Sequence, residues 1–331
     1  GHDHVQINSV PEDQLLKELH FPNLGERISQ KRAMLLACNV ALRGFGFVRS
    51  NPPVGAVLVD SDHRFLAASA HMDFGQPHAE VNVLSSFQGR ASHFLRDATL
   101  YITLEPCAHN GKTPPCAVML AKYSLRKVVV ASLDPNPLVN GEGKQILEDA
   151  GCQFEVSETF ANMASTLHES FMWNIRKSKP FIGLKAAVSL DGLAARSGAS
   201  RAWITGERAR AFGHWLRMRY DGVVVGWKTI FRDNPKLTVR HPDLPRIRTP
   251  QRIVLDPEGK GLSCRTLAQH HLLSSEPERT IWILGKQVRE SLQDECSAIT
   301  AVGGSVIFLD VKEGIFPIRI LCDNLYSMGI N

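Results

Sequence analysis

His78, Glu80, Cys107 and Cys116 are the residues of this chain whose types and spacing could do chemistry. They stand in two stretches, Pro77-His-Ala-Glu80 and Thr103-Leu-Glu-Pro-Cys-Ala-His-Asn-Gly-Lys-Thr-Pro-Pro-Cys116. One imidazole and two thiolates form a three-ligand set for zinc that leaves the fourth position to water. A metal so held lowers the pKa of its water towards neutrality and makes it a nucleophile. Glu80, two residues beyond the histidine, is placed to carry a proton from that water to a departing amine. The chemistry expected is hydrolytic deamination of an amidine-like carbon in a heterocycle. The plainer alternative makes His78 a helix-start residue and the cysteines buried small hydrophobes. Each residue alone favours that alternative. Two Pro-preceded cysteines and a Pro-preceded His-Ala-Glu, each after an apolar strand-like run, favour the metal.

Zinc deaminases of nucleobases carry H-x-E followed by P-C-x-x-C. Here eight residues, not two, separate the cysteines. The elements that must present the four residues are legible from periodicity. Ile28 to Leu42 reads as an amphipathic helix stopped by Gly44. Val54–Val59 and Phe65–Ala70 read as a hairpin turned at Asp60-Ser-Asp-His. His78 begins a helix, Ala98–Leu104 is a strand, and Cys116 opens a helix through Tyr123. Two helix starts, each bearing ligands, then face each other across a strand. A strand (Lys127–Ser132), a helix (Gly143–Ala150), a strand (Cys152–Val156) and a long helix (Thr159–Lys177) follow. This alternation predicts an α/β layered sheet.

After Arg176-Lys-Ser-Lys-Pro180 a second α/β half begins with Phe181–Val188, which reads as a buried strand. It continues with a helix to Tyr220, strands at 222–226, 252–255, 280–284 and 305–309, and helices across 288–297 and ending near Met328. Thr229–Arg240 reads as a polar loop. The expected domains are an N-terminal arm (1–26), a zinc domain (27–178) and a second domain (179–331). No G-x-G-x-x-G follows the first strand of the second half, so spacing alone gives no dinucleotide site.

The 331 residues, 44% apolar and 21% charged, describe an ordinary globular chain of about two domains. The net charge of +5 is scattered, and without interleaved aromatics a nucleic-acid partner is not expected. No apolar run is long enough to cross a bilayer. Gly1-His-Asp-His lacks the order of a signal peptide. Five of the seven cysteines, Cys38, Cys152, Cys264, Cys296 and Cys322, are single and in apolar contexts, as in the reducing cytoplasm. A homo-oligomer is compatible with all of this.

The motifs together resemble the bifunctional deaminase/reductase family of riboflavin biosynthesis, over roughly residues 30–325. They are Asn51-Pro-Pro-Val-Gly-Ala, His71 before His78, His-Ala-Glu80, Leu-Glu-Pro-Cys-x-His-x-Gly-Lys-Thr-Pro-Pro-Cys116 and Asp134-Pro-Asn-Pro137. The eight-residue cysteine interval is normal in that family. The resemblance implies a cytidine-deaminase-like α/β/α layered domain followed by a dihydrofolate-reductase-like α/β domain. It implies zinc-dependent deamination of 2,5-diamino-6-ribosylamino-4(3H)-pyrimidinone 5′-phosphate, then NADPH reduction of the ribosyl group to ribityl. Carried over, His78, Cys107 and Cys116 hold Zn2+ and Glu80 shuttles the proton. Asn51, His71, Lys112, Asp134 and Asn136 line the pyrimidine ribose phosphate, with Lys112 and His71 able to meet its phosphate. The alternative for these five is ordinary turn chemistry, since Asn-Pro and Asp-Pro open loops.

In the second half the matching pieces are Lys185-Ala-Ala-Val-Ser-Leu-Asp-Gly192, Trp203-Ile-Thr and Asp233-x-Pro-x-Leu-Thr-Val-Arg240. They imply NADP near Ala187, Trp203, Thr229 and Asp233, and substrate near Arg217, Leu237 and Arg240. The two guanidiniums suit a ribose phosphate because each can bind it bidentately. The alternative makes Trp203 and Leu237 core and the arginines solvated. Arg201 replaces a usual serine, and Asn234 the second Asp of Asp-Asp-Pro. The chain closes at Asn331, ahead of the family's Val-Glu-Gly-Gly phosphate turn, so deamination without reduction is expected of it. Two further readings compete: a zinc deaminase of another base, nucleoside or RNA nucleotide, and a non-catalytic zinc scaffold. A structural site normally has four protein ligands, which argues against the scaffold.

Overall fold

Every residue of Gly55–Val59 (β1) is buried, which demands cover on both faces of its sheet. The computed structural model, described here for residues 20–87, 95–108, 114–136, 140–193, 204–240 and 246–331, provides it. The chain divides into two compact units, Gly1–Lys177 and Ser178–Asn331. In the first, five strands run in the order β2-β1-β3-β4-β5. β1 pairs antiparallel with β2 (Phe65–Ala70) and with β3 (Thr99–Ile102). β3, β4 (Lys127–Val130) and β5 (Gln153–Val156) are parallel to one another.

Successive side chains of a strand point to opposite faces, and the two cores divide accordingly. Val57, Val59, Tyr101 and Val129 pack on α1 (Gln30–Ala41) through Met34, Leu36, Ala37 and Val40. Ala56, Leu58, Leu100, Ile102, Val128 and Val130 pack on α2 (Ala79–Ser85), α3 (Cys116–Ala121) and α4 (Glu142–Asp149). Helix α1 starts at Ser29, whose hydroxyl accepts the Arg32 N–H at 3.1 Å and so satisfies one orphan donor of the first turn. Gly55 is required where β1 meets α1, because a Cβ there would lie 1.9 Å from the Ala37 carbonyl oxygen. The layering is α/β/α.

The long helix expected over 159–177 is interrupted. A 3-10 turn (Glu158–Phe160) leads into α5 (Ala161–Leu167), and α6 (Glu169–Lys177) follows His168. His168 is fully buried, and its ring faces the Pro53 carbonyl and the Thr103 hydroxyl. This polar anchor sits where the two helices part.

The second unit has four parallel strands in the order β6-β7-β8-β9: Gly222–Gly226, Gln251–Asp256, Thr280–Gly285 and Ser305–Leu309. Val254, Trp282 and Leu284 face α8 (Trp227–Asp233), α9 (His271–Ser274) and α10 (Gln293–Ala301), which follow α7 (Glu207–Arg219). Ile253, Ile281 and Ile283 face α11 (Ile318–Ser327). Two expectations fail here. Residues 229–233, expected in a polar loop, belong to the helix α8 (Trp227–Asp233), which Asn234 ends in the left-handed conformation at φ 41°. Asparagine tolerates that conformation, and its side chain reaches the start of α9, accepting the His271 N–H at 3.1 Å. Phe181–Val188 is not a buried strand; it is irregular, and Leu184 is 97% exposed. An apolar segment becomes a strand only beside an edge that takes its N–H and C=O groups, and among the described residues none pairs with it. No described helix is long and apolar enough to cross a membrane.

Candidate active site

The chain positions the four chemical residues by ending strands and starting helices. His78 is the N-cap of α2, extended at φ −70° and ψ 166°, and Glu80 lies in that helix's first turn. Cys107 follows β3 through Thr103-Leu-Glu-Pro, and Cys116 is the first residue of α3. The His78 Nδ1 is 3.3 Å from Cys116 Sγ and 3.7 Å from Cys107 Sγ. All three donor atoms lie within 4.8 Å of one another. Ligands about 2.0–2.3 Å from one tetrahedral ion stand roughly 3.5 Å apart, so this donor set fits zinc. The Cys116 N–H donates to Cys107 Sγ at 3.4 Å, so the start of α3 supports a thiolate.

Burial governs the electrostatics. Glu80 is 3% exposed, and its Oε2 has no hydrogen-bond partner. Burial pushes its carboxyl up to about 7, against the smaller pull of its own backbone N–H and the His78 charge. Such a value suits a group that must both accept and donate a proton near neutrality. Hydrogen bonding from the Cys116 thiol, then from His78, pulls Cys107 far below the usual thiol range; Cys116, donating to it, is raised. The bond to Cys107 raises His78.

Asn51 and His71 stand beside this cluster. The His71 ring is edge-on to His78 with centroids 5.1 Å apart. The Asn51 amide donates to His71 Nε2 at 3.1 Å, and His71 Nδ1–H donates to the Pro77 carbonyl at 3.2 Å. Burial lowers the His71 pKa, in keeping with this neutral tautomer. Both ring nitrogens are thus engaged. The phosphate contact expected of His71 has no free nitrogen in this arrangement, and the ring instead orients Asn51. Lys112 lies outside the described residues. Asp134 and Asn136 follow β4, and the Asp134 Oδ1 accepts the Asn136 N–H at 2.8 Å, a local turn bond. Sequence reasoning missed Glu105 and His168. Both are buried and polar: Glu105 stands two positions before Cys107, and His168 faces Pro53 and Thr103; the one signal for Glu105 was a charge directly ahead of Pro106-Cys107.

In the second unit the structure gathers Arg217, Leu237 and Arg240 around Thr238. Arg217 donates to the Thr238 carbonyl at 2.6 Å and Arg240 to its hydroxyl at 3.1 Å. Burial, then the nearby Arg240 charge, lowers the Arg217 pKa. Two neighbouring guanidiniums of this kind favour an anion. Leu237 is buried with φ at 52°, a costly conformation for a leucine, of the kind that concentrates at functional sites. Thr229 and Asp233 lie four residues apart on α8. Ala187 lies in the irregular 181–188 segment, and Trp203 lies outside the described residues.

Two family models match the chain: the cytidine and deoxycytidylate deaminase zinc-binding region at residues 27–132, and the RibD C-terminal domain at residues 180–314. The fold and the donor set thus define a zinc-binding deaminase domain joined to a RibD-type second domain. The riboflavin biosynthesis protein RibD of Bacillus amyloliquefaciens is 35% identical over 296 residues, covering 88% of this chain and 75% of that protein. That of Aquifex aeolicus is 41% identical over 228 residues, which span 69% of this chain and 62% of the Aquifex protein. A solved structure from Thermotoga maritima, a diaminohydroxyphosphoribosylaminopyrimidine deaminase/5-amino-6-(5-phosphoribosylamino)uracil reductase, superposes with a TM-score of 0.73. It is 32% identical, and the match covers 90% of this chain and 78% of that one. The chain belongs to the RibD family of riboflavin biosynthesis proteins.

Proposed function

We propose that this chain deaminates 2,5-diamino-6-ribosylamino-4(3H)-pyrimidinone 5′-phosphate by hydrolysis at a zinc site held by His78, Cys107 and Cys116. The observation that carries the reading is the buried Glu80 carboxyl, unpartnered at Oε2, beside a three-donor set. Bound zinc supplies activation of a water at neutral pH. Glu80 takes a proton from the attacking water and delivers it to the amino group that leaves as ammonia. The C–N bond breaks as the ring carbon gains oxygen. Asn51, oriented by His71, offers polar atoms to the pyrimidine, Asp134 and Asn136 are the proposed contacts of the ring edge or ribose, and Lys112 is the proposed contact of the phosphate.

In the second domain, Arg217 and Arg240 hold the ribose phosphate of the product, and NADPH is the reductant its family uses. Thr229 and Asp233 are the cofactor contacts proposed within the described residues. The test supplies the diaminopyrimidine ribose phosphate to zinc-loaded and chelator-stripped protein and follows ammonia. Release by the loaded protein and its loss on stripping are expected. Undiminished release after complete removal of zinc overturns the reading. NADPH oxidation, followed separately in the same tubes, reports on the second domain.

A further inference from the structure

Glu105 has no part in the proton transfer, yet it is buried beside it. The residue is 5% exposed and stands two positions before Cys107. Its Oε2 accepts the backbone N–H of Asp134 at 3.0 Å and of Gly141 at 3.1 Å. Its Oε1 accepts the N–H of Lys144 at 3.1 Å. The first amide opens the segment that carries Asp134 and Asn136, and the other two belong to the N-cap and first turn of α4. The Glu105 N–H itself donates to the Ser132 carbonyl at 2.8 Å, just beyond β4. Three N–H groups and a helix start therefore answer the buried charge.

Contact is close enough to fix distance as well as direction. A Cβ on Gly143 would meet the Pro106 carbonyl oxygen at 2.3 Å and Glu105 Cγ at 3.2 Å. Helix α4 thus rests directly on the backbone that leads into Cys107. The Asp134 turn closes on the same frame: the Asn140 side chain donates to the Asp134 carbonyl at 2.9 Å, and the Asn140 N–H to the Asn136 carbonyl at 2.9 Å. Only a carboxylate of this length suits the position. Glutamine has one accepting oxygen and would turn an N–H towards at least one of the three donors, and aspartate is a methylene short.

We propose that Glu105 is a positioning residue for deamination: it sets the register between Cys107 and the segment bearing Asp134 and Asn136, and so governs how tightly the pyrimidine ribose phosphate is held. The substrate part of this rests on the function proposed above. The test compares wild type, Glu105→Gln and Gly143→Ala, each loaded with zinc. All three should carry about one zinc per chain. Both variants should raise KM for the pyrimidine ribose phosphate about tenfold or more while kcat falls much less. Amide hydrogen exchange at one or more of Asp134, Gly141 and Lys144 should quicken by about tenfold or more in Glu105→Gln, with β3 and β4 unchanged. A lowered melting temperature with KM and those three amides unmoved overturns the proposal, because that is the signature of a merely structural carboxylate. Should Glu105→Gln fail to fold, Gly143→Ala carries the test, since it presses on the same contact with Glu105 intact. Should the wild type release no ammonia, the function reading fails. Unmoved exchange at the three amides would still overturn the tether, and quickened exchange would support it.

Discussion

His168 should make the first unit acid-sensitive in a way one substitution removes. Burial pushes its imidazole from the ordinary 6.5 down to about 4, partly offset by its bond to the Pro53 carbonyl. Below pH 6.5 the unfolded chain binds a proton that the folded chain refuses. The contribution of a neutral His168 to stability is therefore complete above 6.5 and is lost as pH falls towards 4. At about 1.36 kcal/mol per pKa unit, the full loss is about 3 kcal/mol, most of which falls between pH 7.5 and 4.5. For a unit of this size that corresponds to roughly 5–10 °C in melting temperature. The perturbation is His168→Gln, whose carboxamide can still donate to Pro53 but does not titrate. Urea unfolding of both proteins at each pH is the assay, so that protonation of the zinc ligands cancels in the difference. The advantage of wild type over variant should shrink by about 2–3 kcal/mol on going to pH 4.5. An advantage that is constant across that range refutes the reasoning.

Two further substitutions test the packing. Gly55→Ala should cost the first unit about 3 kcal/mol in urea unfolding, because its Cβ would fall 1.9 Å from the Ala37 carbonyl oxygen and 2.8 Å from the Ala41 nitrogen. A loss below about 1 kcal/mol would mean that α1 shifts freely on β1. Arg252 is fully buried and donates to the carbonyls of Lys236, Leu272, Ser275 and Glu276 and to the Thr280 hydroxyl. Arg252→Lys keeps the charge but not the fork, and should cost the second unit about 3 kcal/mol, read from its own melting transition.

The parts of this molecule that sequence disclosed are those where the signal is local. The Gly55–Val59 run is apolar without a break because both faces of β1 are covered, and His78, Glu80, Cys107 and Cys116 sit in short contiguous motifs. Helix starts at Ala79 and Cys116 follow directly from Pro77 and from Pro114-Pro115. What stayed hidden depends on partners distant in the chain. Phe181–Val188 has a strand's composition, but strand formation requires an edge, which no periodicity reveals. Glu105 is held by amides 29, 36 and 39 residues away, and backbone N–H groups carry no residue signature. His168 splits a helix that propensity would continue, because its ring is bound to Pro53, 115 residues earlier. The commitment of both His71 nitrogens, one to Asn51 and one to the Pro77 carbonyl, likewise shows only in three dimensions.

Replacement of Glu80 by glutamine tests the central claim most directly, with zinc and ammonia measured on the same preparation. Glutamine fills the same buried space in the first turn of α2 but cannot carry a proton. The account predicts about one zinc per chain and ammonia release from the pyrimidine ribose phosphate reduced by about a hundredfold or more. Zinc retained with undiminished ammonia release would contradict Glu80 as the proton carrier, and loss of the metal would make Glu80 a ligand instead.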